Sequence, residues 1–259
     1  MNEEYVEKRR MLSKESRFKF ACHNGLSCFK TCCADINIFL TPYDLLRMRR
    51  TIGLSSGEFL EKYTIPLLTK EGLPLLVLKM TEDENKSCPF IAAHGCEIFE
   101  DRPWSCRMHP IFPSSKGGFF IEEGKSCLGF KEEKTWTIEE WKKDQGIDSY
   151  DKMNESYETI TLNDYFLKGN TLDPEKSKML YMVCYDLDEF KKYLLETRFF
   201  DIYNMEKENI EKLTEDDEEL LSFGYRWARF NLFGEDTLRL NDKTFDKIMQ
   251  TERKESESL

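Results

Sequence analysis

No long apolar run occurs in the 259-residue chain, whose greasiest stretch, residues 74–80, is strand-sized. A bilayer crossing needs roughly 18 to 20 such residues, so no membrane partner is expected. The first ten residues, MNEEYVEKRR, mix acids and bases around no apolar core; no secretory leader is expected and a cytoplasmic protein is read. Positive charge is short as well. Lys plus Arg is 38 against 49 for Asp plus Glu, and the net charge of −11 opposes nucleic acid as a partner. Neither a GxGxxG turn after a strand nor a P-loop is present, which argues against an ordinary nucleotide-fold methyltransferase. No spacing suggests a Ser-His-Asp arrangement, and the acidic runs at 82–85 and 214–219 lack the glycine and spaced oxygens of a calcium loop. There is no internal repeat and no C-x-x-C redox pair.

Cysteine is plentiful and uneven. Cys22, Cys28, Cys32 and Cys33 fall within twelve residues, Cys88, Cys96, Cys106 and Cys127 follow, and only Cys184 comes later. In a reducing compartment thiols stay unpaired, and nine of them would leave one over in any set of disulfides. Metal ligation by the first eight is the expectation. The change in composition divides the chain into a cysteine-cluster domain (1–135), a helical domain (136–250) and a polar, charged tail (251–259) expected to be disordered. The fold class expected is α+β, predominantly helical, with a small sheet and short helices around the cysteines.

Local signals supply the elements. Thr41 as N-cap, Pro42 at the first helical position and Asp44 in the first turn predict a helix from Pro42 to about Ile52, closed by Gly53. Ser55 with Glu58 forms a capping box for a second. Strands are predicted over residues 74–80, after Gly95 through Phe99, and after Gly117-Gly118 over residues 119–121. Farther on, Leu180, Val183, Cys184, Leu187, Phe190 and Leu194 recur at three and four and predict one helix over 179–198, with Cys184 in its buried stripe. Thr214 and Asp217 predict the start of another, strongly apolar helix that packs against the first.

The spacing of the cysteines bears on the metal. Zinc draws its thiolates as close pairs two to four residues apart. Here five residues separate Cys22 from Cys28, three separate Cys28 from Cys32, seven Cys88 from Cys96, nine Cys96 from Cys106 and twenty Cys106 from Cys127. Only the first quartet could build a zinc knuckle; scattered ligands favour an iron-sulfur cluster, read as four-iron, with zinc as the alternative. Neighbouring side chains in extended structure point apart, so Cys32 and Cys33 should serve different tasks, either two centres or one ligand and one packing residue. Arg102 and Arg107 flank Cys106 and could offset an anionic cluster, with ion pairs to Asp101, Glu97 or Glu100 as the plainer role. His109, His23 and His94 are weaker ligand candidates, since eight thiols already oversupply a site.

The CC pair with its upstream cysteines, Thr41-Pro42 with Asp44, Cys88-Pro89-Phe90, Gly95-Cys96-Glu97-Ile98-Phe99, and Arg102-Pro103 followed two residues later by Cys106-Arg107 occur in the order of a known family. In this order they resemble the YkgJ-like cysteine-cluster proteins described as zinc- or iron-chelating, over about residues 20–130. The chain departs from that pattern in its wide first interval and in His109, where an aromatic residue is expected. The resemblance implies metal binding by cysteine. A related group, the flagellin lysine N-methylases, is thought to join an iron-sulfur centre to S-adenosylmethionine, which implies methyl transfer to a protein lysine as an alternative; a zinc-stabilised module that recruits a protein partner is a third.

Overall fold

The computed structural model describes residues 9–13, 15–115, 117–123, 127–203 and 205–241. The expected tail at 251–259 lies outside them. Ten short strands are described: β1 (Arg9–Leu12), β2 (Phe18–Lys19), β3 (Phe39–Leu40), β4 (Thr64–Leu68), β5 (Pro74–Leu78), β6 (Ile91–Ala92), β7 (Gly95–Cys96), β8 (Ile111–Pro113), β9 (Phe119–Glu122) and β10 (Thr135–Trp136). The helices are α1 (Pro42–Ile52), α2 (Ser56–Tyr63), α3 (Trp104–Met108), α4 (Ile138–Asp144), α5 (Ile147–Thr161), α6 (Asp164–Leu167), α7 (Pro174–Tyr185), α8 (Leu187–Glu196), α9 (Phe199–Ile202), α10 (Lys207–Glu215) and α11 (Asp217–Phe233). Among the described residues helix outweighs strand, about 49% to 15%, so the class is α+β and helical-leaning. Among the described residues there are four small sheets instead of one, ordered β1-β9-β8, β10-β2, β3-β5-β4 and β6-β7. With strands this short no single sheet can extend, and each pair serves as a local clasp.

Two compact units are present, one from the described parts of Met1–Gly53, Lys62–Pro66 and Leu76–Asn154, the other from Leu54–Glu61, Leu67–Leu75 and the described parts of Glu155–Leu259. The first holds all eight clustered cysteines. Its core joins Phe18, Phe20, Met108, Ile111, Ile121, Trp136, Trp141 and Ile147. Trp136 Nε1 donates to the Phe20 carbonyl at 2.8 Å and Trp141 Nε1 to that of Met108 at 3.2 Å, so the two indoles pin the strand leading to Cys22 and the helix bearing Cys106 to one core. α1 starts and stops where its caps dictate: the Thr41 hydroxyl accepts the Asp44 N–H, the Asp44 carboxylate accepts the Thr41 N–H, and Gly53 closes it at φ 68°.

Three expectations fail for local reasons. Beyond Cys96 the chain does not continue as a strand, because the Asp101 N–H bonds the Ile98 carbonyl at 2.9 Å and Phe99–Asp101 forms a 3-10 turn that delivers Arg102-Pro103 to α3. The helix read over 179–198 is two, because Asp186 leaves helical geometry and turns its carboxylate to the Glu189 N–H, capping α8. Similarly α11 is capped by Asp216, with Thr214 lying in the last turn of α10. In this second unit α11 packs on α7 and α8, and Gly224 is the close approach: a Cβ there would stand 2.7 Å from Val183 Cγ1. Cys184 is fully buried in this core, as expected. No described helix is long and apolar enough to cross a membrane.

Candidate metal centre

All nine cysteines are free thiols. Backbone pairing sets where the first eight stand. The Ala21 N–H donates to the Gly129 carbonyl at 3.1 Å, which lays the chain before Cys22 alongside the chain after Cys127. Only glycine permits that contact, since a Cβ at 129 would meet Ala21 O and Phe20 Cε2 at 2.8 Å. From the same segment the Leu128 N–H donates to Cys28 Sγ at 3.2 Å. A second clasp serves Cys33 and Cys88: the Cys88 N–H donates to the Cys33 carbonyl at 2.7 Å, and Asp35 N–H to Lys86 O at 3.0 Å. The β6-β7 hairpin then pairs Cys96 with Ile91, whose N–H bonds the Cys88 carbonyl. Cys106 rides on α3.

The thiols act on one another through space in two groups. Cys22 is pushed up to about 11 by partial desolvation of its sulfur and by the charges of Cys32, Cys127 and Cys28, while Cys127 is raised by burial and then by Cys28 and Cys32. Cys106, pushed up to about 12 by burial, also feels Cys88 and Cys96; Cys33 feels Cys88 and Cys106. The groups are Cys22, Cys28, Cys32, Cys127 and Cys33, Cys88, Cys96, Cys106, and they meet at the CC pair. There the backbone is not extended. Cys32 and Cys33 lie in a 3-10 turn, Thr31–Cys33, and their thiols hydrogen-bond, which holds Cys32 down at about 6 and drives Cys33 up.

Backbone amides are aimed at several sulfurs. Besides the Leu128 bond to Cys28, amides of Phe90, Ile98, and Gly129 with Phe130 favour the thiolates of Cys88, Cys96 and Cys127 respectively. Such N–H···S bonds stabilise the charged form a metal requires and oppose the burial that raises these thiols. The donor set is all sulfur, partly desolvated and amide-supported, which fits a thiophilic ion or cluster. As they stand, no three Cys, His, Asp or Glu side chains among the described residues are close enough to hold one ion. Neutral thiols attract one another weakly; the energy that would draw them inward comes with the metal.

Asp44, read at first only as a helix-start acid, supports the site. It is 1% exposed, and its two oxygens accept the Thr41 N–H and the Trp104 N–H, both at 2.8 Å. One carboxylate thus joins the start of α1 to the start of α3, two residues before Cys106. Burial lifts it to about 6 although these donors and Arg107 pull it down.

The two arginines part company. Arg107 is buried and donates to the carbonyls of Arg102 (3.0 Å), Gln145 and Glu100, with its guanidinium 4.7 Å from the Tyr150 ring, so it binds backbone rather than sulfur. Arg102 lies over Phe99 at 4.1 Å, bonds Gln145 Oε1, and is the positive charge felt by Cys22, Cys96 and Cys106. Its buried Nε has no partner among the described groups. Asp101, the plainer partner, is taken by Arg47. The His109 ring packs edge-on against Phe20 at 5.6 Å and Phe112 at 6.2 Å, filling an aromatic place, and burial followed by the Arg102 charge lowers its pKa. The His23 nitrogens face the Gly25 N–H and Glu132, and His94 is exposed.

Residues 21–135 match the model of the CxxCxxCC family, described as a “putative zinc- or iron-chelating domain”. The match supports zinc or iron chelation by these cysteines. It takes in all eight, though the first two intervals here are wider than the family's name spells out. No curated protein and no solved structure matches the chain.

Proposed function

We propose that the first unit is a cytoplasmic metal-binding domain with two neighbouring thiolate centres, Cys22, Cys28, Cys32, Cys127 and Cys33, Cys88, Cys96, Cys106, each suited to a four-iron cluster or to zinc. The observation that carries this is the backbone clasping: the Ala21–Gly129 bond and the Leu128 N–H on Cys28 Sγ lay the Cys127 segment beside Cys22 and Cys28, while the Cys88–Cys33 bond and the β6-β7 hairpin gather Cys33, Cys88 and Cys96. Four thiolates around one centre carry too much charge to lie together unneutralised; a cation relieves it, and its binding energy becomes folding energy of the loops. Arg102, whose charge reaches Cys22 of one set and Cys96 and Cys106 of the other, supplies further positive charge.

Purification without air, with zinc, iron and acid-labile sulfide measured per chain, tests the reading. Two zinc ions, or about eight iron with eight sulfide in two four-iron clusters, are expected. Metal-free protein that retains its fold rejects it. Methyl transfer from S-adenosylmethionine to a protein lysine rests on the resemblance alone, and calorimetry with that compound tests it; a zinc-stabilised recruiting module would show zinc without sulfide and a partner that co-purifies with the zinc form only.

A further inference from the structure

Resting on that reading, we infer that the two centres divide their labour: the Cys33, Cys88, Cys96, Cys106 centre is permanent and structural, and the Cys22, Cys28, Cys32, Cys127 centre is the exchangeable one, which gives up its zinc to soluble ligands. The elements holding them differ. Every cysteine of the inner set is half-buried, as are Cys28 and Cys127 of the outer one, but two residues past Cys88, Cys96 and Cys106 stand core anchors: Phe90 is 3% exposed, Ile98 2% and Met108 1%. Cys33 and Cys88 are clasped backbone to backbone, Cys96 closes a hairpin, and Cys106 is fixed through the Trp104 N–H to buried Asp44. Opening this centre means opening the core.

The outer set has Cys22 and Cys32 exposed, with Cys28 and Cys32 on turns of the 22–32 segment. That segment overlies the inner hairpin. Lys30 Nζ donates to the Ala92 and Ala93 carbonyls at 3.0 and 3.1 Å, and the Phe29 ring closes on Gly95, where a Cβ would stand 3.4 Å from it. An incoming ligand therefore meets the outer centre first and reaches the inner one only after the overlying segment lifts. Exchange of a bound zinc ion is ligand substitution without a redox step: each departing thiolate leaves the ion as a chelator donor enters, and the freed sulfurs take up protons from water.

The test uses the anaerobically purified full-length chain. Excess EDTA is added with iodoacetamide, and alkylated cysteines are located by peptide mass over time. Cys22, Cys28, Cys32 and Cys127 should be alkylated at least about tenfold faster than Cys33, Cys88, Cys96 and Cys106, as local opening precedes global opening. A Cys32→Ser chain should retain the slow set's protection and its helical circular dichroism. Equal rates, or the inner set reacting first, overturn the division of labour while two centres stand; if less than two centres' worth of metal is present at the outset, the underlying reading fails and takes this one with it.

Discussion

Replacing Asp44 by Ala removes the acceptor that two buried amides share, those of Thr41 and Trp104, each 2.8 Å away. A buried donor left without a partner costs about 1 to 3 kcal/mol, so the gross loss is about 2 to 6 kcal/mol. Burying the carboxylate is itself costly, as its pKa of about 6 records, and removing it returns part of that loss. A net destabilisation of about 2 to 3 kcal/mol follows, a large share of the roughly 5 to 15 kcal/mol of a typical domain. Asp44→Asn keeps one oxygen for the Trp104 N–H but points an amide donor at Thr41, and should lose about half as much, about 1 to 1.5 kcal/mol. Urea unfolding followed by tryptophan fluorescence reads both, since Trp104, Trp136 and Trp141 lie in this unit. Because α3 carries Cys106, release of metal from the inner centre should quicken in step with the lost stability. An Ala variant within about 0.5 kcal/mol of the parent, or an Asn variant as damaged as the Ala one, would show that the carboxylate does not link the two helices.

Gly129→Ala places a methyl 2.8 Å from Ala21 O, so the Cys22 and Cys127 segments must separate; the outer centre's metal should be lost at unchanged helix content, and full retention counts against the close approach. His109 is held below its ordinary pKa, so the unfolded chain takes the proton first as pH falls from about 6.5, and stability is lost in that direction. His109→Phe should flatten this slope between pH 7.5 and 5.5 in denaturant melts while preserving the contact with Phe20; an unchanged slope refutes the assignment. Cys184→Ala should cost about 1 kcal/mol by leaving a small void, with metal per chain unaltered. Metal loss in that variant would refute the confinement of the ligands to the first eight cysteines.

What could be read from the residues was local. α1 was legible because Thr41, Pro42, Asp44 and Gly53 fix both of its ends within the helix's own span. The α7-α8 break was not: the apolar stripe runs unbroken across Asp186, and periodicity cannot see a side chain that turns back to cap the following helix. The α+β class with helices in excess followed from the same kind of signal, whereas four separate sheets in place of one did not, because strands of two to five residues pair by tertiary proximity rather than by pattern.

The site shows the same divide. That cysteines of the leading half chelate zinc or iron was readable from composition, but not the grouping proposed for them, in which Cys127, last of the second quartet, joins Cys22, Cys28 and Cys32. The reason is the β10-β2 pair, which returns Thr135 and Trp136 to Phe18 and Lys19 and carries the preceding Cys127-Leu128-Gly129 segment onto the residues around Cys22. Conversely Cys33 leaves its three sequence neighbours for Cys88 because the Ala34–Ser87 bridge and the Cys33–Cys88 backbone bond form there. The CC pair is thus a crossing point, and its 3-10 turn explains how one residue step can serve two sets of sulfurs. Lengthening that step should uncouple them: a glycine inserted between Cys32 and Cys33 leaves both clasps intact but breaks the thiol-thiol bond. The Cys32 thiol, no longer held near 6, should then lose its alkylation reactivity at pH 7 in the metal-free chain. Reactivity that persists would mean the low value has another source than its neighbour.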